Sequence, residues 1–206
     1  MKQLLIAFTF LAWGAAAYAY PPSDAVYLPA EIQAIEAERG TQTMGDLKVS
    51  DSIAVMKRLD VAREKDQYLR DMATASFWWP GAGQFITGNV TEGLLHTGVH
   101  LGLTVGTVVL ANAVLPSDVR LGNMDYFGTS FTTIHNTWSN HTLGDYLPTI
   151  GVVLGGALVD GALRAWSARD ARHLAREQID EGRITFEPRF DFSDRHGFGM
   201  GMGMRY

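Results

Sequence analysis

A chain of 206 residues is long enough for one domain with a buried core, and its net charge of −5 argues against nucleic acid as the main partner, because a phosphate-binding surface needs clustered cations. The absence of cysteine excludes disulfides, thiolate metal sites and cysteine nucleophiles together. Lys2, Lys48, Lys57 and Lys65 are the only lysines and all come early, whereas arginines continue to Arg205.

The chain begins Met1-Lys2-Gln3, runs through an apolar stretch from Leu4, and reaches Ala17-Tyr18-Ala19 before Pro21-Pro22. A basic start, a short apolar run and small residues at the −3 and −1 positions predict a secretory signal over 1–19, cleaved after Ala19. A retained N-terminal anchor is the alternative. Residues 20–74 read as an exported amphipathic helical region. Pro29-Ala30-Glu31 starts a short helix over 31–39 that Gly40 stops, and Ser50-Asp51 caps a longer one in which Ile53, Met56, Leu59, Ala62, Leu69 and Met72 share a face.

Composition changes at Phe77-Trp78-Trp79-Pro80, three aromatics before a proline, which suit a membrane interface. Two apolar segments follow, at 94–115 and 147–166, inside a predicted membrane hairpin domain over 75–166. About 22 helical residues span about 33 Å, enough for one crossing of a hydrocarbon core. The competing reading is a buried hairpin of a soluble protein, since His96, His100, Asn112 and Asp160 dilute the apolar character.

At 100° per residue each segment has a small face and a polar face. On the first, Gly98, Gly102 and Gly106 form a stripe opposite His96, His100, Thr104 and Thr107. On the second, Gly151, Gly155 and Ala162 lie opposite Asp160 and Arg164. Small residues at every fourth position allow close backbone approach in lipid, so the two small faces are expected to pack together. The polar faces are then expected to turn towards water, a third helix or another subunit. Asp160 and Arg164, four apart, are placed to neutralise one another.

The connection from Pro116 to Tyr146 is rich in aromatics, including Tyr126, Phe127, Phe131 and Trp138, and is expected to lie along an interface. A basic amphipathic helix over 167–182 continues the second segment. In the tail, 183–206, Ile184, Phe186, Pro188, Phe190 and Phe192 alternate with more polar residues, and Phe198, Met200, Met202, Met204 and Tyr206 do so again, which predicts a β-hairpin. The fold class expected is therefore mainly α: a helical membrane protein with two glycine-rich transmembrane-type helices, an amphipathic N-terminal helix and a short C-terminal β-hairpin.

Cations lie before the first apolar segment (Lys57, Arg58, Arg63, Lys65, Arg70) and after the second (Arg164, Arg169, Arg172, Arg176), while the loop between them holds only Arg120. In an inner membrane this keeps both flanks in the cytoplasm, which conflicts with a cleaved signal. Export followed by insertion in an outer membrane removes the conflict and is favoured. An inner membrane, with a signal that does not act as one, is the alternative.

The run Pro80-Gly81-Ala82-Gly83-Gln84-Phe85-Ile86-Thr87-Gly88-Asn89, then Glu92-Gly93 and the glycine stripe to Gly106, resembles the core of a small helical outer-membrane porin-like family of spirochaetes. The resemblance implies a signal peptide, a few amphiphilic helices and channel activity, and transfers no functional residue. The same Pro-Gly-x-Gly-Gln signature is similar to that of two-helix membrane hairpin domains of the inner membrane. Physically, Pro80, Gly81, Gly83, Gln84 and Gly88 break the helix and permit a tight re-entry.

Glu92, His96 and His100, at i, i+4 and i+8, line one helical face and are weak candidates for a divalent metal. Gly81-x-Gly83 is no phosphate loop, because no strand precedes it and no lysine follows. The reading is a non-enzymatic exported membrane protein without a cofactor, either an oligomeric outer-membrane channel or structural component, or an inner-membrane scaffold or assembly partner. A membrane metal-binding protein is a minor third reading. Its expected partners are membrane lipid and copies of itself or a membrane-protein complex.

Overall fold

The computed structural model describes residues 25–40 and 48–188, and among them the chain is helical throughout its regular elements. In chain order these are α1 (Tyr27–Arg39), α2 (Val49–Trp78), α3 (Ala82–Ile86), α4 (Val90–Val114), a 3₁₀ turn (Ser117–Val119), α5 (Phe131–Ser139) and α6 (Leu143–Asp180). Two compact units share them, one holding 73–171, the other the described residues before 73 and after 171.

In the second of these units, α1 starts two residues before Pro29, which is tolerated in a first turn where no backbone donor is needed. Its orphan N–H groups are satisfied from α2: the Asp66 carboxylate accepts from the backbone N–H of Val26 (2.7 Å), Tyr27 (2.9 Å) and Leu28 (2.8 Å). A carboxylate at a helix N-terminus also meets the positive end of the helix dipole. Gly40, at φ 63°, ends α1 where the sequence predicts its stop. Arg58 on α2 holds Glu31 and Glu38 of α1. The core gathers Leu69, Met72, Ala175 and Ile179, with Tyr68 and Phe186 packed against it.

The predicted C-terminal hairpin is not supported. Residues 184–188 carry no strand, and 189–206 lie outside the described residues, as does the predicted signal over 1–19. Phe186 instead lays its ring edge-on to Tyr68 at 6.0 Å. Alternation here follows exposure in an irregular segment, with Ile184, Phe186 and Pro188 partly buried and Thr185 and Glu187 exposed, which needs no partner strand.

In the unit holding 73–171, α4 and α6 are both long and apolar enough to cross a membrane. Each exceeds its predicted segment: α4 begins at Val90, where Asn89 caps it by accepting from the Glu92 N–H, and α6 begins at Leu143 and runs through Trp166 to Asp180. Their large apolar side chains are largely exposed, among them Leu94, Leu101, Val105 and Val109 on α4 and Leu158 and Val159 on α6. The buried cluster is small, formed by Ala73, Phe77 and Ala168.

Candidate functional site

The Pro-Gly-x-Gly-Gln run forms a tight turn followed by the short α3. Gly81 adopts φ 100°, and a Cβ there would collide with the Gly93 carbonyl and the Thr97 hydroxyl. Only glycine fits both the conformation and the space. Thr97 Oγ1 donates to the Pro80 carbonyl at 2.8 Å, fastening the turn to α4. Gly88, at φ 80°, has open space around its Cβ position, so conformation alone selects glycine there.

Gln84 is fully buried and its carboxamide joins three helices. Its Oε1 accepts from Ser76 Oγ of α2 at 2.8 Å, and its Nε2 donates to the Ser167 carbonyl (3.0 Å) and Asp170 Oδ2 (2.9 Å) of α6. Ser76 Oγ accepts in turn from the Gly83 N–H, and Ser167 Oγ from the Gly81 N–H. Each buried polar group in the turn thereby finds a partner, as a dry interior requires.

From this knot a polar seam runs between α4 and α6. His96, 2 % exposed, places Nε2 3.2 Å from Asp170 Oδ2 and its ring 4.4 Å from that of Trp166. One turn on, His100 Nδ1 lies 2.7 Å from Asp160 Oδ1. Asp160 Oδ2 accepts from Arg164 Nε at 2.6 Å, the i,i+4 pair predicted from sequence. The same guanidinium donates to the carbonyls of Phe77 (3.2 Å) and Trp78 (2.8 Å), supplying the last turn of α2 with donors. Further along, a Cβ on Gly156 would run into the Thr107 side chain.

The expected arrangement of faces is therefore reversed within the chain. The polar residues His96, His100, Thr107, Asp160 and Arg164 look inward, while Thr104 is exposed and donates back to the His100 carbonyl. Gly98, Gly102, Gly106, Gly151 and Gly155 have nothing within 4 Å of a Cβ position, and Ala162 is exposed. Close approach does use a glycine, but it is Gly156. Opposite charges and hydrogen-bonding groups on facing helices gain more by meeting than two small faces do, since a polar group left without a partner in an apolar medium is costly.

Glu92, His96 and His100 do not converge. The two imidazoles turn to separate carboxylates, and among the described residues no group of three or more metal-ligating side chains forms. Ser76, Thr97, Ser167 and Asp170 are partners that sequence reading passed over. The last two carried a signal: with Asp160 and Arg164 they occupy one arc of the α6 wheel.

The loop between α4 and α6 is firmly built. Leu121 N–H donates to Asn112 Oδ1 at 2.8 Å, Tyr126 OH to the Val119 carbonyl at 2.5 Å, and Trp138 Nε1 to Tyr126 OH at 3.1 Å. Trp138 stacks on Tyr146 of α6 at 5.4 Å, and Tyr146 OH donates to the Trp138 carbonyl. His141 Nε2 sits 2.8 Å from Asp118 Oδ1, and this contact holds the Asp118 carboxyl below the usual carboxylate range.

The chain matches no protein-family model, and no curated protein or solved structure is significantly similar to it.

Proposed function

We propose that this chain is a non-catalytic structural component of a membrane, in which α4 and α6 cross the bilayer as a hairpin closed by an internal polar seam. One observation carries the reading: large apolar side chains are exposed on both long helices while His96 and His100 of α4 meet Asp170 and Asp160 of α6 between them. That distribution suits a lipid surround, in which polar groups must find partners inside the protein and apolar ones need none.

The outward glycine edges are then free for a neighbouring helix, either a second copy or another membrane protein. Inward pairing of the polar faces favours this structural role over a water-filled path, since it leaves little to line one. With the signal-like leader, the favoured address is the outer membrane after export.

Expression of the full chain followed by separation of inner from outer membranes and alkaline extraction tests the reading. The protein is expected to resist alkaline extraction and to fractionate with the outer membrane. Recovery as a folded species in the soluble fraction without detergent overturns it, and recovery with the inner membrane turns it into an inner-membrane scaffold.

A further inference from the structure

The loop that follows α4 presents apolar side chains from a rigid frame. Asp125 Oδ1 accepts from the backbone N–H of both Phe127 (3.1 Å) and Gly128 (2.8 Å), fixing a turn whose apex, Phe127, is fully exposed. Ser130 Oγ caps α5 by accepting from the Thr133 N–H, and Phe131 at the head of that helix is 81 % exposed. A phenylalanine held out by a dedicated side-chain turn is not an accident of slack chain. Water alone gives no reason to order it.

We propose that Phe127 and Phe131 insert into lipid at the headgroup level, making this loop an interfacial anchor of the bilayer that the hairpin crosses. The inference rests on the reading that α4 and α6 span.

Both ends of the loop are held at helix termini. Asn112 in the last turn of α4 holds the loop at one end, and Tyr146 in the first turn of α6 stacks on Trp138 at the other. Tyr126, Trp138 and Tyr146 combine apolar rings with satisfied N–H and O–H groups, the character of residues at a membrane–water boundary. The loop's charged groups are engaged within it, with Asp118 paired to His141, Arg120 Nε donating to the Leu115 carbonyl and the Asp125 carboxylate accepting from the turn's own N–H groups. At the other end of the hairpin, Trp78 and Trp79 are likewise exposed, completing a second belt.

Because the chain has no cysteine, single-cysteine variants report position directly. Phe127→Cys, Phe131→Cys, Asn123→Cys and Val105→Cys are each labelled with an environment-sensitive fluorophore in the full-length protein. They are reconstituted in phosphatidylcholine–phosphatidylglycerol vesicles containing shallow or deep spin-labelled lipids, with helical content checked by circular dichroism.

Labels at Phe127 and Phe131 are expected to be quenched at least twofold more by shallow than by deep spin labels. The Asn123 label is expected to stay in water, and the Val105 label to be quenched by deep ones. If Val105 is quenched and Phe127 is not, the anchor is overturned while the spanning hairpin stands. If neither is quenched, the spanning hairpin falls and takes the anchor with it. A blue-shifted Phe127 label that lipid quenchers do not reach indicates a protein cover, which also overturns the anchor. All four substituted side chains are exposed in the fold, and Phe131→Cys repeats the test should Phe127→Cys misfold.

Discussion

His100 on α4 and Asp160 on α6 stand 60 residues apart in the chain and meet at 2.7 Å. Asp160 also pairs with Arg164, and among the described residues it is the one side-chain anion on that guanidinium, which supplies the end of α2. Three helices thus depend on one carboxylate. Asp160→Ala is expected to lower stability by about 1.5–3 kcal/mol, the range for hydrogen bonds to charged groups. Unfolding in detergent followed by circular dichroism measures it, and a double-mutant cycle with His100→Ala apportions the loss. Additive effects of the two substitutions would contradict the pairing.

Gln84 poses a different problem, because its side chain is fully buried and its bonds to Ser76 and Ser167 are buried with it. Gln84→Leu keeps volume but leaves the buried Ser76 hydroxyl without an acceptor for its proton and removes a donor from the Ser167 carbonyl and Asp170, at an expected cost of about 2–4 kcal/mol. Gln84→Glu sets a carboxylate beside Asp170, so its penalty should shrink as pH falls through the carboxylate range. Thermal melts of both variants at pH 4 and pH 7 distinguish a lost bond from charge repulsion.

The glycines separate by what surrounds them. Gly81→Ala must accept both a left-handed conformation and a collision with the Gly93 carbonyl, and is expected to cost at least about 3 kcal/mol. Gly88→Ala, with positive φ but open space, should cost about 1–2 kcal/mol. Denaturant titration of the two variants side by side checks the order.

Gly102→Leu meets nothing within 4 Å, so chain stability should hold within about 1 kcal/mol, helped by better helix propensity. What should change is association. Chemical cross-linking and sedimentation in detergent are expected to show a smaller species than the natural chain. An unchanged mass would mean that lipid, not protein, covers this face.

Burial, followed by the hydrogen bond that its hydroxyl gives Asp180 at 2.6 Å, pushes the Tyr27 phenol above its ordinary value of 10.0. The folded state then holds this proton more tightly than the unfolded chain does. Its contribution to stability is fully present below pH 10 and declines as pH rises beyond it. Melting at pH 8 and pH 11 should show a drop that Tyr27→Phe lessens, since a phenylalanine has no proton to lose.

Local chemistry was the legible part. The stop at Gly40, the start near Ser50-Asp51, the break at Pro80-Gly81 and the two long apolar runs all follow from nearest neighbours, through conformational preference and side-chain period. The tail was misread for the same reason: alternation over 184–188 describes one extended face and is silent on whether a strand or a helix lies against it. The Asp66 cap on α1 was equally out of reach, because the donors lie about 40 residues before the acceptor.

By itself the sequence marked the stop at Gly40, the start near Ser50-Asp51 and the break at Pro80-Gly81, and showed that two helices are long and apolar enough to cross a membrane. Only the tertiary structure decided which way those helices turn. A wheel separates glycines from polar residues but assigns neither face to a neighbour, and close packing of small residues argues for the opposite rotation from pairing of charges. The choice lies with partners far apart in the chain, His96 with Asp170 and His100 with Asp160, whose union outweighs contact between two bare glycine edges.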